Sequence, residues 1–189
     1  MPMLKSEINT HHTRDIVNIN SSIEYEILHH TSLFLMDVYI WNRANPTKKL
    51  MFGSYPYPPN FYAQNTVEFI SVFVKDGSPK IRTPEIKGAS KLTQEEWVKF
   101  TKQVWDIPIP NKSDPAYGKH PAIMPDELAS RLVRLYSFVD DIVLDPFLGS
   151  GTTAKVATEF GRNWIGYEID STFKSVIEEK IKFQLKLEL

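Results

Sequence analysis

Cysteine is absent from the 189 residues of this chain, which excludes disulfide bonds and thiolate zinc sites. No apolar run approaches the length of a membrane span, and the N-terminal stretch MPMLKSEINTHHTRD contains no apolar signal-peptide core. We therefore expect neither secretion nor membrane insertion, and the lack of cysteine agrees with a reducing cytoplasm. A charge excess of one sign is also missing. The formal net charge is −1, so total charge indicates no polyanionic partner, although a local basic face can exist within a neutral total.

What the chain does contain is typical of a globular protein. Hydrophobic residues make up 42% and aromatic residues 12%, and this length is enough to bury a core. We predict one domain over residues 1–189. The pairs His11-His12 and His29-His30 lack ligand spacing and a carboxylate partner, so we expect no metal site.

The first two thirds of the chain predict two strands separated by loop. The apolar run Leu33–Trp41 indicates a buried strand, and Glu68–Lys75 indicates a second. Between them, 42–65 is rich in proline and aromatic residues and is predicted to be loop. Residues 76–91 are polar and punctuated by proline and glycine, which favours a surface excursion.

The middle of the chain predicts two helices around a second loop. Thr93 and Glu96 form a capping box ahead of a short helix that we expect to end near Val104. Residues 105–125 are rich in proline and predicted to be loop. Pro125 can occupy the first position of the next helix.

The last third predicts alternating strands and helices. Strands are expected over Ile142–Phe147 and Trp164–Ile169, with a helix over Thr152–Phe160 between them. Ser171 is expected to cap a terminal helix. This order predicts parallel strands joined by a right-handed crossover.

The motif that indicates chemistry is Asp145-Pro-Phe-Leu-Gly149-Ser-Gly151-Thr-Thr-Ala, followed by Glu168. The glycines allow a sharp turn off a strand and a close approach of backbone to a ligand. Glu168 lies near the end of the next predicted strand, where a carboxylate can accept hydrogen bonds from ribose hydroxyls. The motif therefore predicts a site for a cofactor that contains a nucleoside. The alternative is a structural glycine turn beside a surface glutamate.

The sequence G-S-G-T-T-A also fits the dinucleotide fingerprint, so an NAD-dependent oxidoreductase is a competing hypothesis. Two features disfavour NAD. Only one helix can follow Asp170, so the remaining strands of the sheet must come earlier and the strand order must be permuted. The turn also has no further glycine beyond Gly151, and a sulfonium cofactor needs no anion site at a helix N-terminus as a pyrophosphate does.

The segment DPFLGSGTTAKVATEFGRNWIGYEID closely resembles the cofactor motif of the permuted (beta-class) DNA amino-methyltransferases, which methylate adenine N6 or cytosine N4. GKHPAIMPDELASRLVRLYS is similar to the companion motif of that family. Three further segments are also similar to family segments: DVYIWNRANP, FGSYPYPPNFYAQNTVEFISVFVK and WDIPIP. They follow one another in the same order as in the family. The resemblance implies a three-layer α/β, Rossmann-like methyltransferase sheet with permuted strand order, whose N-terminal strands are missing here. It also implies S-adenosylmethionine as cofactor and double-stranded DNA as partner.

Carried over by position, the resemblance implies a set of cofactor-binding residues in 117–170. Around the methionine part it implies Phe147, Gly149, Ser150, Gly151 and Thr152. Glu168 would bind the ribose and Ile169 would lie beside the adenine. The pocket would be closed from the other side by His120, Pro121 and Ala122. Asp145 would orient the glycine turn.

The catalytic tetrapeptide of this family is Asp, Asn or Ser followed by Pro-Pro and an aromatic residue. It holds the exocyclic amine and stacks on the flipped base. Nothing in residues 1–32, where the order would place it, matches. Asp114-Pro-Ala-Tyr117 differs at one position but lies elsewhere in the order, and Tyr57-Pro-Pro-Asn60 lacks the polar residue. We therefore assign no catalytic residue, and expect a truncated or split gene, whose companion polypeptide would carry the catalytic loop, or an inactive remnant.

A DNA-facing region is predicted over 42–91. Its loop combines cations for phosphates with aromatic and amide side chains. The candidate residues are Arg43, Lys48, Lys49, Tyr55, Tyr57, Asn60 and Asn65. The alternative is a solvated loop whose aromatic residues pack on the core. The target base and the recognition sequence are left open.

Overall fold

The fold is given by a computed structural model, which describes residues 18–43, 56–57 and 65–185, with side chains through 182. The elements, in chain order, are α1 (Ile19–His30), β1 (Leu33–Arg43), β2 (Val67–Lys75), α2 (Pro84–Ala89), α3 (Gln94–Phe100), β3 (Val104–Ile107), α4 (Asp126–Tyr136), β4 (Ile142–Asp145), α5 (Thr152–Glu159), β5 (Asn163–Gly166), a single 3-10 turn (Ser171–Phe173) and α6 (Lys174–Leu185). Helices and strands alternate in the last third, as predicted. The described residues divide into two compact units, one formed by 18–43, 56–57, 65–79 and 102–106 and the other by 80–101 and 107–185.

The first unit is a three-stranded sheet with one helix. Its strand order is β2-β1-β3, and β1 pairs with β2 in antiparallel register from Leu33↔Lys75 to Asn42↔Val67. Asn18 caps α1 by accepting a hydrogen bond from the Ser21 amide at 3.3 Å. The two predicted strands are thus confirmed, with bounds that differ by one or two residues.

Strand β1 is not buried along its whole length, which corrects the prediction. Only Tyr39 and Trp41 are buried, and the Tyr39 ring stacks on Trp105 with centroids 4.5 Å apart. Phe34 and Leu35 are exposed. Apolar composition predicted the strand correctly, but burial depends on which elements pack over it, and the described residues leave Phe34 and Leu35 largely uncovered.

The second unit contains the parallel pair β4 and β5, in register from Ile142↔Asn163 to Asp145↔Gly166. This parallel pairing confirms the prediction. Helices α4 and α5 pack together through Ala129, Val133 and Val156. Val143 of β4 joins this cluster, so one face of the pair is covered by helices.

The other face of this pair carries exposed apolar side chains. Ile142 and Leu144 of β4 alternate with the covered Val143, and Ile165 of β5 lies opposite Leu144 in the register. All three are exposed, as is Tyr167 just beyond β5. We call these four residues the open apolar face.

Several short elements differ from the predictions. The excursion at 76–91 contains helix α2, with Pro84 in its first turn and Thr83 as its cap. The capping box of α3 is confirmed, because the Thr93 and Glu96 side chains each accept a hydrogen bond from the other residue's amide, at 3.2 and 2.9 Å. That helix ends at Phe100, and the predicted loop after it begins with β3.

Two helix starts also differ by one residue. Pro125 is the cap of α4 and not its first residue. Asp170, not Ser171, caps the turn that leads into α6, since its side chain accepts from the Thr172 amide at 2.9 Å. Both residue types are favoured helix caps, so the sequence alone did not distinguish these two neighbouring positions.

Candidate functional site

The glycine turn connects β4 to α5. Gly149 and Gly151 have φ angles of +56° and +87°, a region that strongly favours glycine. The Leu148 amide donates to the Tyr167 carbonyl at 2.8 Å, and the Gly151 amide donates to the Leu148 carbonyl at 2.9 Å. These bonds fix the turn against the end of β5.

Glu168 binds this turn directly. Its Oε2 accepts a hydrogen bond from the Gly149 amide at 2.7 Å, and its Oε1 accepts one from the Asp170 amide at 2.9 Å. Backbone hydrogen bonds, from Asp170 first and then Gly149, lower the pKa of Glu168 below its ordinary value of 4.5. The turn and the acidic residue therefore form one unit with an ionised carboxylate held beside Gly149. Each oxygen keeps a further lone pair for a ligand hydroxyl.

His120 lies against the same turn. A Cβ on Gly149 would be 3.1 Å from His120 Nε2, so the turn and the imidazole approach closely. His120 Nδ1 accepts from the Ala122 amide at 3.2 Å, which leaves Nε2 to carry the proton of a neutral ring. The ring also packs on Phe173 with centroids 4.5 Å apart. This geometry brings the 120–122 segment to the glycine turn.

The apolar residues of the predicted site flank the turn and are exposed. Phe147 is 87% and Ile169 is 101% exposed, and Pro121 and Ala122 are also exposed. Asp145 Oδ1 accepts a hydrogen bond from the Phe147 amide at 3.0 Å, a contact that can orient the start of the turn. A flat apolar ligand could cover the exposed side chains of Phe147 and Ile169.

Ser150, Gly151 and Thr152 face inward. Both hydroxyl-bearing residues are buried. A Cβ on Gly151 would be 3.2 Å from the Cα and Cγ2 of Ile177, so a side chain there would crowd α6, and the φ of +87° would strain it. A side chain at Gly151 would therefore meet Ile177 of α6 first.

Sequence reasoning missed two residues that shape the turn. Lys180 of α6 is 1% exposed, and its ammonium contacts the hydroxyls of Ser150 and Thr152. Gly166 ends β5, and a Cβ there would be 2.7 Å from a methyl carbon of Leu148. A glycine inside a strand is a usable signal of close approach, whereas nothing local in the sequence indicates the contacts of Lys180.

Of the candidate residues for DNA, three are described. The guanidinium of Arg43 donates to the Asn65 carbonyl and lies 3.6 Å from the Glu68 carboxylate. Tyr57 is exposed and Asn65 is half-buried. Lys48, Lys49, Tyr55 and Asn60 lie outside the described residues. The Arg43 guanidinium is thus already engaged by Asn65 and Glu68, and it could bind DNA only in addition to these contacts or in exchange for them.

The described part of the chain contains neither a cluster of metal-binding side chains nor a helix suited to a membrane. Residues 18–43, 56–57 and 65–185 include no group of three or more His, Asp or Glu side chains that could hold a metal ion. No helix in these ranges is both long enough and apolar enough to cross a bilayer.

Comparison with known proteins matches the chain to a DNA methylase family model over residues 15–179. The chain belongs to the DNA amino-methyltransferase family. The type II methyltransferase M.MjaI of Methanocaldococcus jannaschii is 40% identical over 149 residues, which cover 78% of this chain and 49% of that protein. M.MthZI of Methanothermobacter thermautotrophicus is 38% identical over 154 residues, covering 78% and 43% respectively. The chain therefore spans about half the length of these two relatives.

Solved structures agree with this assignment. A Thermus thermophilus protein described as a DNA modification methylase, in complex with S-adenosyl-L-methionine, superposes with a TM-score of 0.74 at 26% identity, covering 96% of this chain and 66% of that one. The cytosine-N4-specific PvuII DNA methyltransferase superposes with a TM-score of 0.66 at 21% identity, covering 92% and 64%. The fold of this DNA amino-methyltransferase family member is thus the methyltransferase α/β fold. The permuted strand order, the single domain and the residue assignments stay predictions.

Proposed function

We propose that this chain provides the S-adenosylmethionine-binding part of a site-specific DNA methyltransferase that acts on adenine N6 or cytosine N4. The observation that carries the proposal is the contact between the Glu168 carboxylate and the Gly149 amide. It joins a nucleoside-binding acid to a glycine turn at the end of a parallel strand. The relatives named as type II methyltransferases support the same reaction class.

The charge at the turn favours a sulfonium over a pyrophosphate. The amides of Leu148, Gly149 and Gly151 are all donors to protein acceptors, so they are not available as an anion cradle. An ionised carboxylate beside Gly149 would repel a pyrophosphate and attract a cation. The same arrangement disfavours the NAD-dependent oxidoreductase that the glycine pattern alone leaves open.

Each protein group would have a separate task when S-adenosylmethionine binds. Glu168 would accept the ribose hydroxyls, Ile169 would cover the adenine, and Phe147 with the glycine turn would hold the methionine part. The ring of His120, fixed by the Ala122 amide and Phe173, would close the pocket. The cofactor supplies an electrophilic methyl group on sulfur, and the chain would orient it and exclude water.

Calorimetric titration of the full chain with S-adenosylmethionine and separately with NAD tests this proposal. We expect heat of binding with S-adenosylmethionine and none with NAD. The reverse result would contradict the proposed cofactor, and the oxidoreductase hypothesis would replace it.

We also propose that methyl transfer needs polypeptide beyond the described residues, in the same chain or a companion. The support is the open apolar face, where Leu144 and Ile165 lie paired and exposed. The alternative of a binding remnant without activity predicts cofactor binding and no methylation with any partner. Asp114 is a weak candidate for the catalytic acceptor, because its carboxylate is 12% exposed and contacts Lys180 and the Ala116 amide.

The DNA contact is proposed for the 42–91 region. Phosphate and stacking contacts would come from Lys48, Lys49, Tyr55, Tyr57 and Asn60, with Arg43 and Asn65 at the ends of this segment. Support comes from the residue types, from the matching family model, which is described as DNA methylase, and from the Thermus thermophilus protein described as a DNA modification methylase.

A further inference from the structure

Lys180 has an environment that is rare for a lysine. It belongs to α6 and is 1% exposed, with its ammonium in a cluster of oxygen atoms. Nζ lies 3.2 Å from Ser150 Oγ, 3.0 Å from Thr152 Oγ1 and 3.2 Å from Asp114 Oδ1. An ammonium has three donors, so these three acceptors satisfy it. Burying a lysine is costly unless it is paired and hydrogen-bonded in this way.

The partners of Lys180 come from separate segments that surround the glycine turn. Ser150 and Thr152 lie on either side of Gly151. Thr152 Oγ1 also donates to the Met124 carbonyl at 3.2 Å, just ahead of α4. Asp114 Oδ1 also accepts from the Ala116 amide at 2.8 Å, and the Ala116 carbonyl in turn accepts from the His120 amide at 3.0 Å. The cluster therefore links both sides of the candidate cofactor pocket to α6.

We propose that Lys180, held by Asp114, is a positioning residue that fixes the Ser150–Thr152 part of the cofactor turn and its spacing from the 120–122 segment. This inference rests on the proposed S-adenosylmethionine site. Asp114 takes part as the counter-ion of Lys180, a structural role that requires no catalytic function of the Asp114-Pro-Ala-Tyr117 segment.

Two variants of the full chain separate positioning from general stabilisation. Lys180→Met removes the ammonium but keeps a side chain of similar length, and it leaves Asp114 buried without its cation. Lys180→Met combined with Asp114→Asn replaces the ion pair by neutral groups, which proteins often tolerate well. The matched control is Lys182→Met, the same substitution on the same helix at an exposed lysine that lies 3.8 Å from Glu178.

The measurements are thermal unfolding, amide hydrogen exchange of residues 148–152 without cofactor, and calorimetry with S-adenosylmethionine. For Lys180→Met we expect a lower unfolding temperature, faster exchange and affinity reduced about tenfold to a hundredfold, as for loss of hydrogen bonds to a charged group. The double variant should regain the unfolding temperature but neither the slow exchange nor the affinity. Lys182→Met should match the wild type.

The outcomes distinguish this inference from the proposed function. A double variant that regains affinity and slow exchange together with stability would overturn the positioning role and leave only a structural ion pair. Equal affinity in wild type and Lys180→Met would overturn it as well. A wild type that binds no S-adenosylmethionine, with exchange still faster in Lys180→Met, would contradict the cofactor proposal instead.

Discussion

At the scale of single residues, the two glycines of the turn serve different neighbours. Gly149 meets the His120 ring, and Gly151 meets Ile177 of α6. Both have positive φ angles, but only the first lies between the segments proposed to bind the cofactor. One short motif can therefore combine a residue needed for the ligand with one needed for packing.

The substitution Gly151→Ala should destabilise the chain even without cofactor. The alanine would be strained at φ +87°, and its Cβ would be 3.2 Å from Ile177, so we expect a loss of about 1–3 kcal/mol in the free energy of unfolding. Denaturant unfolding measures this. The control is Gly88→Ala, where a Cβ meets nothing within 4 Å in helix α2, and which should be neutral or slightly stabilising. Unfolding of Gly151→Ala at the wild-type midpoint would refute the packing explanation.

The substitution Glu168→Gln should weaken S-adenosylmethionine binding several-fold, and Glu168→Ala more. Glutamine keeps an acceptor for the Gly149 amide but loses the charge. Because the pKa of Glu168 is below its ordinary value of 4.5, the carboxylate stays ionised through that pH. The affinity ratio of wild type to Glu168→Gln should therefore be constant from about pH 8 to about pH 5 and fall only below that range.

Calorimetry across this pH range measures the ratio. Glu159→Ala, on the exposed surface of α5, is the matched control and should bind like the wild type. A ratio that changes near neutral pH would assign the pH dependence to another group. Unchanged affinity in both Glu168 variants would remove this residue from the site.

At the scale of elements, local signals were sufficient for some features and insufficient for others. The capping box of α3 was predictable because Thr93 and Glu96 are three residues apart and complete one local motif. Helix α2 was missed because Thr83 and Pro84, which begin it, are also typical of loops. The parallel pairing of β4 and β5 followed from the short helical connection between them.

The features that could not be predicted depend on contacts between distant segments. Asp114 and Lys180 are far apart in the chain, and neither has an unusual local context, so their pairing becomes visible only in the folded molecule. The exposure of Phe34 in β1 is likewise set by what packs over the strand. Of the candidate site, sequence found Glu168, His120 and the glycine turn, which the fold brings together, but not their support from α6.

The segment between β1 and β2 gives a prediction for DNA. Changing Lys48 and Lys49 to alanine should weaken binding about equally on all DNA sequences, because bonds to phosphates carry no sequence information. The slope of log affinity against log salt should flatten by roughly one unit for each phosphate that is no longer neutralised. Binding titrations at several salt concentrations measure this, with Lys102→Ala and Lys112→Ala together as a control for charge at exposed lysines outside the 42–91 region. An unchanged slope would favour the alternative of a solvated loop.

At the scale of the whole molecule, the second unit has charged side chains that pair with one another and an apolar face that is left open to solvent. Its helices are tied by ion pairs, among them Glu96 with Arg134, whose guanidinium hydrogen bonds are 2.7 and 2.9 Å long and lower the pKa of Glu96 to about 2. The open apolar face instead presents the side chains of Leu144 and Ile165 to solvent. A contiguous apolar surface of this kind is typical of an interface with further polypeptide.

Covering this face should therefore change both the solubility and the activity of the chain. Leu144→Thr with Ile165→Thr keeps residues that favour strands but removes apolar surface, and should reduce aggregation of the isolated chain in light scattering. Val98→Thr, at an exposed apolar position on helix α3, should have little effect. If the face binds the remainder of the enzyme, co-expression with a polypeptide carrying the family's catalytic loop should raise the unfolding temperature of the wild type and confer DNA methylation. The Leu144 and Ile165 double variant should lose both gains. Robust methylation by the isolated wild type would instead mean that this chain contains the whole active site. Asp114 would then be the candidate acceptor if Asp114→Ala with Lys180→Met, which leaves no unpaired buried charge, is folded but inactive.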